Sequence, residues 1–124
     1  MKRLHNLSVS KCASCEGVVG PLSRKKIVGY LRHLRDWRLV SRARAIRAEY
    51  RMKDFMSAVR SIQKIARLAE REGHHPDLHL TGYRHLTVEL STHSIGGLSE
   101  NDFILAKEIE RIISETARQS RGTR

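Results

Sequence analysis

The chain has 124 residues, a formal charge of +11, 40% hydrophobic and 30% charged residues, which suits a single core and lies outside disordered and collagen-like compositions. No apolar run approaches the roughly 18 residues of a membrane span, and Met1 to Ser10 is basic without the apolar stretch of a secretory signal, so a cytoplasmic protein without membrane contact is expected. The charge is uneven: residues 1–53 carry 14 basic and 3 acidic side chains, whereas residues 54–124 carry 10 of each.

Cys12 and Cys15 form one CxxC in an N-terminal tail, residues 1–21. A structural zinc site closes with four ligands, and no second CxxC or nearby HxxxH follows, so the thiols read as structural or incidental, with a shared metal or a labile disulfide as the alternative. After Gly20-Pro21, Ser23 can cap a helix carrying Ile27, Tyr30, Leu31 and Leu34 at helical spacing and ending near His33 to Asp36. Trp37 to Val40 and Ala45 to Met52 read as two strands joined by an arginine-rich turn that has no Asn-Gly signal. Arg32, Arg35, Arg38, Arg42, Arg44, Arg47 and Arg51 recur every two to four residues and could line a phosphate-facing surface, although a solvated face is the preferred reading.

From Asp54 to Glu72, Phe55, Val59, Ile62, Ala66 and Ala69 trace one apolar helical stripe, and Gly73 supplies the stop. Leu78 to Tyr83 and His85 to Thr92 follow as strands, with Leu86, Val88 and Leu90 alternating against polar residues. After Gly96-Gly97, Ser99 and Asp102 form a capping box, with Leu98 and Phe103 as its hydrophobic staple. The last helix, with Leu105, Ile109, Ile112 and Ile113 buried, runs to about Ala117, leaving residues 118–124 as a polar tail. The order α-β-β-α-β-β-α over one domain, residues 22–117, predicts an α+β fold: a four-stranded antiparallel sheet with helices packed on one face. Its exposed edges predict a homo-oligomer.

Three of the seven histidines have a constraining context. Glu70 and His74 lie four residues apart at a helix end, where the carboxylate can orient the ring. His75 precedes Pro76, which sends it extended and turns it away from His74. His93 ends a strand before a flexible loop, Ser94 to Gly97, a common place for side chains that act on ligands. Taken singly, each has a plain structural role as the better explanation: His74 as a helix C-cap, Asp102 as a capping carboxylate, His93 as a loop residue.

Taken together they do not. Glu70, three residues, His74-His75-Pro76, six residues, Tyr83, nine residues, His93, eight residues and Asp102 resembles the signature of the pterin-4a-carbinolamine dehydratases. Lys53-Asp54-Phe55, Ser91-Thr92-His93 and Gly97-Leu98-Ser99 resemble that family as well, and the likeness spans about residues 22–113. Met52, Ile62 and Gly73 depart from its common residues. The resemblance implies an oligomeric α+β enzyme, a dimer or tetramer, that dehydrates 4a-hydroxytetrahydropterin to quinonoid dihydropterin in pterin cofactor recycling, with no cofactor and no metal. It implies His74 and His93 as acid and base, in that order if Glu70 supports the His74 ring, and His75 as a ligand-binding partner. Gly73, Ser91, Thr92 and Ser94 would line the pterin pocket. The alternative is a small basic dimer that binds nucleic acid or a protein partner, since animal relatives of the family also serve as dimerisation cofactors of a transcription factor.

Overall fold

Ser23 begins the first helix by accepting a hydrogen bond on its side chain from the Lys26 amide at 3.3 Å, the N-cap arrangement that satisfies an otherwise orphaned donor. The computed structural model describes residues 21–122, with side chains to Arg118, so His5, Cys12 and Cys15 lie outside the described residues. Helix α1 (Arg24–Leu31) buries Ile27 and Tyr30. Strands β1 (Trp37–Val40) and β2 (Ala45–Arg51) follow as expected. Their turn contains no glycine, yet Ser41, Arg42 and Ala43 all take positive φ, at 54°, 56° and 67°, a conformation that costs roughly 1–2 kcal/mol for each such residue.

Asp54 caps α2 (Phe55–Glu72) by accepting from the Ser57 amide, and Gly73 closes it in the left-handed region at φ 66°. The expected stripe is corrected here. The core takes Ser57, Ala58, Ser61, Ile65, Leu68 and Ala69, while Phe55 and Met56 are 51% and 56% exposed. Only Ala69 belongs to both sets. The small side chains Ser57, Ala58 and Ser61 let the helix backbone approach its neighbours closely, and this shape outweighs the larger apolar area of the other face.

Strands β3 (Asp77–Thr81) and β4 (His85–Leu90) complete one antiparallel sheet of order β1-β2-β4-β3. Leu86, Val88 and Leu90 are fully buried on one face, in register with Tyr50, Ala48 and Ile46 of β2. Helix α3 (Glu100–Gly122) lays Phe103, Leu105, Ile109, Ile112 and Ile113 into the same core and packs against α2. It continues through five residues expected to form a tail. No described helix is long and apolar enough to cross a membrane.

The other sheet face carries the alternate residues. Arg38 and Arg47 are cross-strand partners there, and Arg47 stands opposite Glu89. Glu49 meets Arg38 at 3.2 Å and Glu89 meets Arg47 at 2.8 Å. Glutamates therefore interrupt the arginine row, and this face is a mixed, ion-paired surface.

Candidate active site

Gly73 decides where the two adjacent histidines go. Its left-handed backbone ends α2 and leaves the His74 amide bonded back to Ala69 O at 3.1 Å, so the chain leaves the helical path before the next side chain is placed. The four-residue spacing of Glu70 and His74 consequently does not bring them together. Glu70 Oε2 instead lies 2.6 Å from Nε2 of His75, with both side chains well exposed. The expectation that Glu70 orients His74 is corrected to His75.

His74 finds a different carboxylate. Its Nε2 lies 2.7 Å from Oδ1 of Asp102, with side chains 11% and 0% exposed. A carboxylate accepts only, so His74 holds its Nε2 proton toward Asp102 and keeps Nδ1 for a ligand. The second oxygen, Oδ2, accepts from the Ser99 amide at 2.9 Å and from Thr92 Oγ1 at 2.8 Å. The Thr92 hydroxyl spends its one hydrogen on Asp102, so the Ser99 hydroxyl, 2.8 Å away, must donate to Thr92. Three donors thus converge on this buried carboxylate, one on Oδ1 and two on Oδ2.

Asp102 does what the capping box predicts for it, taking the Ser99 amide. What the sequence reading lacked was its second task, binding His74 and Thr92. The available signal was its place as the last residue of the spaced signature.

Thr92 carries the network to His93. The Thr92 amide donates to Gly97 O at 2.8 Å and the Gly97 amide to Thr92 O at 3.3 Å, closing a short loop whose interior is a 3₁₀ turn, His93–Ile95. Gly97 is required at the closure because a Cβ there would meet Pro21 Cβ at 2.9 Å. His93 and Ser94 are exposed on this turn.

An open groove of about 300 Å³ lies beside the loop, at the lower end of the volumes small ligands occupy. It is lined by Ser91, Thr92 and His93 with Gly96 and Gly97 of the loop, by Glu89 of β4, and by Ser41 and Arg44 of the β1–β2 turn. The groove thus gathers Ser91, Thr92 and His93, while His74 reaches it through Asp102 and Thr92. Gly73, His75 and Ser94 do not line it. Arg44 and Glu89 do, and only the fold could show that the first hairpin turn reaches the His93 loop. Among the described residues, no three His, Cys, Asp or Glu side chains are grouped as a metal ion would need.

Comparison with known proteins points to one family. The family model described as Pterin 4 alpha carbinolamine dehydratase matches residues 20–112. A Nitrosospira multiformis protein bearing that family's name is 38% identical over 109 residues, covering 88% of this chain and 94% of the relative. An Arabidopsis thaliana protein, "Pterin-4-alpha-carbinolamine dehydratase 2, mitochondrial", is 37% identical over 112 residues, covering 88% of this chain and 60% of its own. A Brucella melitensis crystal structure described as a transcriptional coactivator/pterin dehydratase superposes with a TM-score of 0.72 at 31% identity, covering 76% of this chain and 99% of that one. A pterin dehydratase-like RuBisCO assembly factor shares the fold alone, at a TM-score of 0.55 and 16% identity.

Proposed function

The chain belongs to the pterin 4 alpha carbinolamine dehydratase family, and we propose that it is a hydro-lyase whose histidines dehydrate 4a-hydroxytetrahydropterin in pterin recycling. The support that weighs most is the buried Asp102 carboxylate, which joins His74 to the loop of His93 through Thr92. In the proposed step the C4a–O bond breaks and the leaving oxygen takes a proton from one histidine. N5 forms a double bond to C4a and gives its proton to the other. Water and quinonoid dihydropterin result, and no electron changes hands.

His74 suits the acid role. Asp102 engages Nε2, so a proton delivered by this ring would leave from Nδ1. His93, on an exposed turn at the groove, suits the base. His75, held by Glu70, is assigned to binding at the edge of the site, with Gly73 two residues before it and Ser94 next to His93. Ser91 and Thr92 supply hydroxyls to the groove wall.

The test follows quinonoid dihydropterin formation from freshly generated 4a-hydroxytetrahydropterin, with and without protein. The expected result is acceleration that His74→Ala and His93→Ala each reduce by the 10²- to 10⁴-fold typical of general acid–base catalysis. No acceleration over background removes the enzyme reading, and full activity in the double variant removes the assignment of these histidines.

Self-association belongs to the same proposal. Phe55 and Met56 are exposed on the outer face of α2, and the edge strands β1 and β3 each have one unpaired side, features that a second copy would cover. Light scattering of the wild type is expected to give a dimer or larger, and a monomer at assay concentration would refute it.

A further inference from the structure

The groove beside His93 has residues that the dehydration does not use. Arg44 and Ser41 line it together with Ser91, Thr92 and His93. The one carboxylate lining the groove, Glu89, is already held by Arg47, whose Nε and Nη2 donate to the same oxygen at 3.0 and 2.8 Å. Arg44, by contrast, has no acidic partner among the described residues. The other polar groups of the groove are hydroxyls and an imidazole, so the guanidinium is its one cation without a counter-ion.

Its position is set by the backbone. The Arg44 amide donates to Ser41 O at 3.1 Å across the left-handed turn, and the next residue, Ala45, is 3% exposed in β2. The turn closes on one side of Arg44 and the sheet begins on the other, so its Cα cannot drift from the groove. A pterin whose C4a and N5 lie at His93 carries its C6 substituent on the atom next to N5. The groove of about 300 Å³ that holds His93 is also lined by Arg44 and Ser41, within which such a substituent would have to be accommodated.

We propose that Arg44 is a specificity-determining residue that favours pterin carbinolamines whose C6 substituent carries an anionic group, a phosphate or a carboxylate. The proposal rests on the dehydratase reading above and assigns a further residue lining the same groove. A guanidinium gives an anion two parallel donors in a fixed plane, and Ser41 is placed to add a third. Because Arg44 is exposed, the gain belongs at the modest end of charge-assisted contacts, about tenfold in kcat/KM, and it should appear mainly in KM since the contact is the same before and during the reaction.

The experiment measures kcat/KM on three freshly generated 4a-hydroxytetrahydropterins with 6-hydroxymethyl, 6-phosphomethyl and 6-carboxyl substituents. Each is run with wild type, Arg44→Gln and Arg44→Glu. The wild type is expected to favour at least one anionic substrate over the neutral one by about tenfold at low salt, with the advantage shrinking as ionic strength rises. Arg44→Gln should bring the ratio near one and Arg44→Glu should invert it. The phosphate and carboxylate arms show which anion the groove takes. A wild-type ratio near one for both, or a preference that survives Arg44→Gln, overturns the role of Arg44 while leaving the dehydratase reading intact. If the neutral and both anionic substrates all react at the background rate, the dehydratase reading itself has failed and Arg44 falls with it.

Discussion

His74 and His75 are adjacent, and each meets a carboxylate, at 2.7 and 2.6 Å, yet the two pairs differ in kind. The His74–Asp102 side chains are 11% and 0% exposed, and the His75–Glu70 side chains 60% and 77%. Water competes for every group of the exterior pair and screens its charges, so such a contact contributes little. In the interior pair the carboxylate has been taken from water and every donor around it is a protein group, so removing one partner strands the rest. Contact distance therefore says little about what a contact contributes, and the surroundings say most of it.

The sharpest way to break this contrast is Asp102→Ala, which leaves His74 Nε2, the Thr92 hydroxyl and the Ser99 amide without their acceptor. It is expected to cost about 3 kcal/mol or more of stability by urea unfolding, together with most of the activity. A variant as stable as the wild type would place the interior pair beside the exterior one.

Gly97→Ala tests the loop that carries the network to His93. A Cβ at 2.9 Å from Pro21 must displace either that residue or the Thr92–Gly97 closure, for an expected cost of about 1–3 kcal/mol. Activity should fall further than the stability loss alone accounts for, since Thr92 and His93 move with the closure. Unchanged thermal unfolding and activity would show the loop to be more tolerant than its geometry implies.

Glu70→Gln keeps the shape of the exterior partner and removes its charge. Stability should change by no more than about 0.5 kcal/mol, and the turnover rate should stay near wild type. A fall comparable to that of Asp102→Ala would erase the distinction between the two pairs.

The smallest effect is a pH dependence outside the site. Hydrogen bonds from the Ser57 amide, and then from its side chain, hold the Asp54 carboxyl below its usual value of 3.8. A group depressed in the folded state stabilises fully above its ordinary pKa, and that contribution disappears as pH falls through the lower folded value. The stability gap between wild type and Asp54→Ala should accordingly hold from neutral pH to near 4 and close below it. A gap that stays constant down to pH 2 would show that the cap owes nothing to ionisation.

Much of the fold was legible because its signals are local. Ser23 and Asp54 start helices and Gly73 stops one through their own neighbours, and Leu86, Val88 and Leu90 alternate because a strand turns over every two residues. The α2 stripe misled because two faces of that helix carry apolar residues, and periodicity cannot tell which one meets the sheet. Ser57 and Ser61 look polar in sequence and are buried in the fold.

The sequence by itself determined the elements and their order, the histidines of the candidate site, and the presence of two carboxylates at signature spacings. Which carboxylate serves which histidine was a matter for tertiary structure alone. Glu70 is four residues from His74 and misses it, because one left-handed glycine turns the chain away. Asp102 is 28 residues away and reaches it at 2.7 Å, because α3 packs its first turn into the core beside the end of α2. Helical spacing predicts a partner only while the helix lasts; beyond its end, the burial of Phe103 and Leu98 decides where the carboxylate comes to rest.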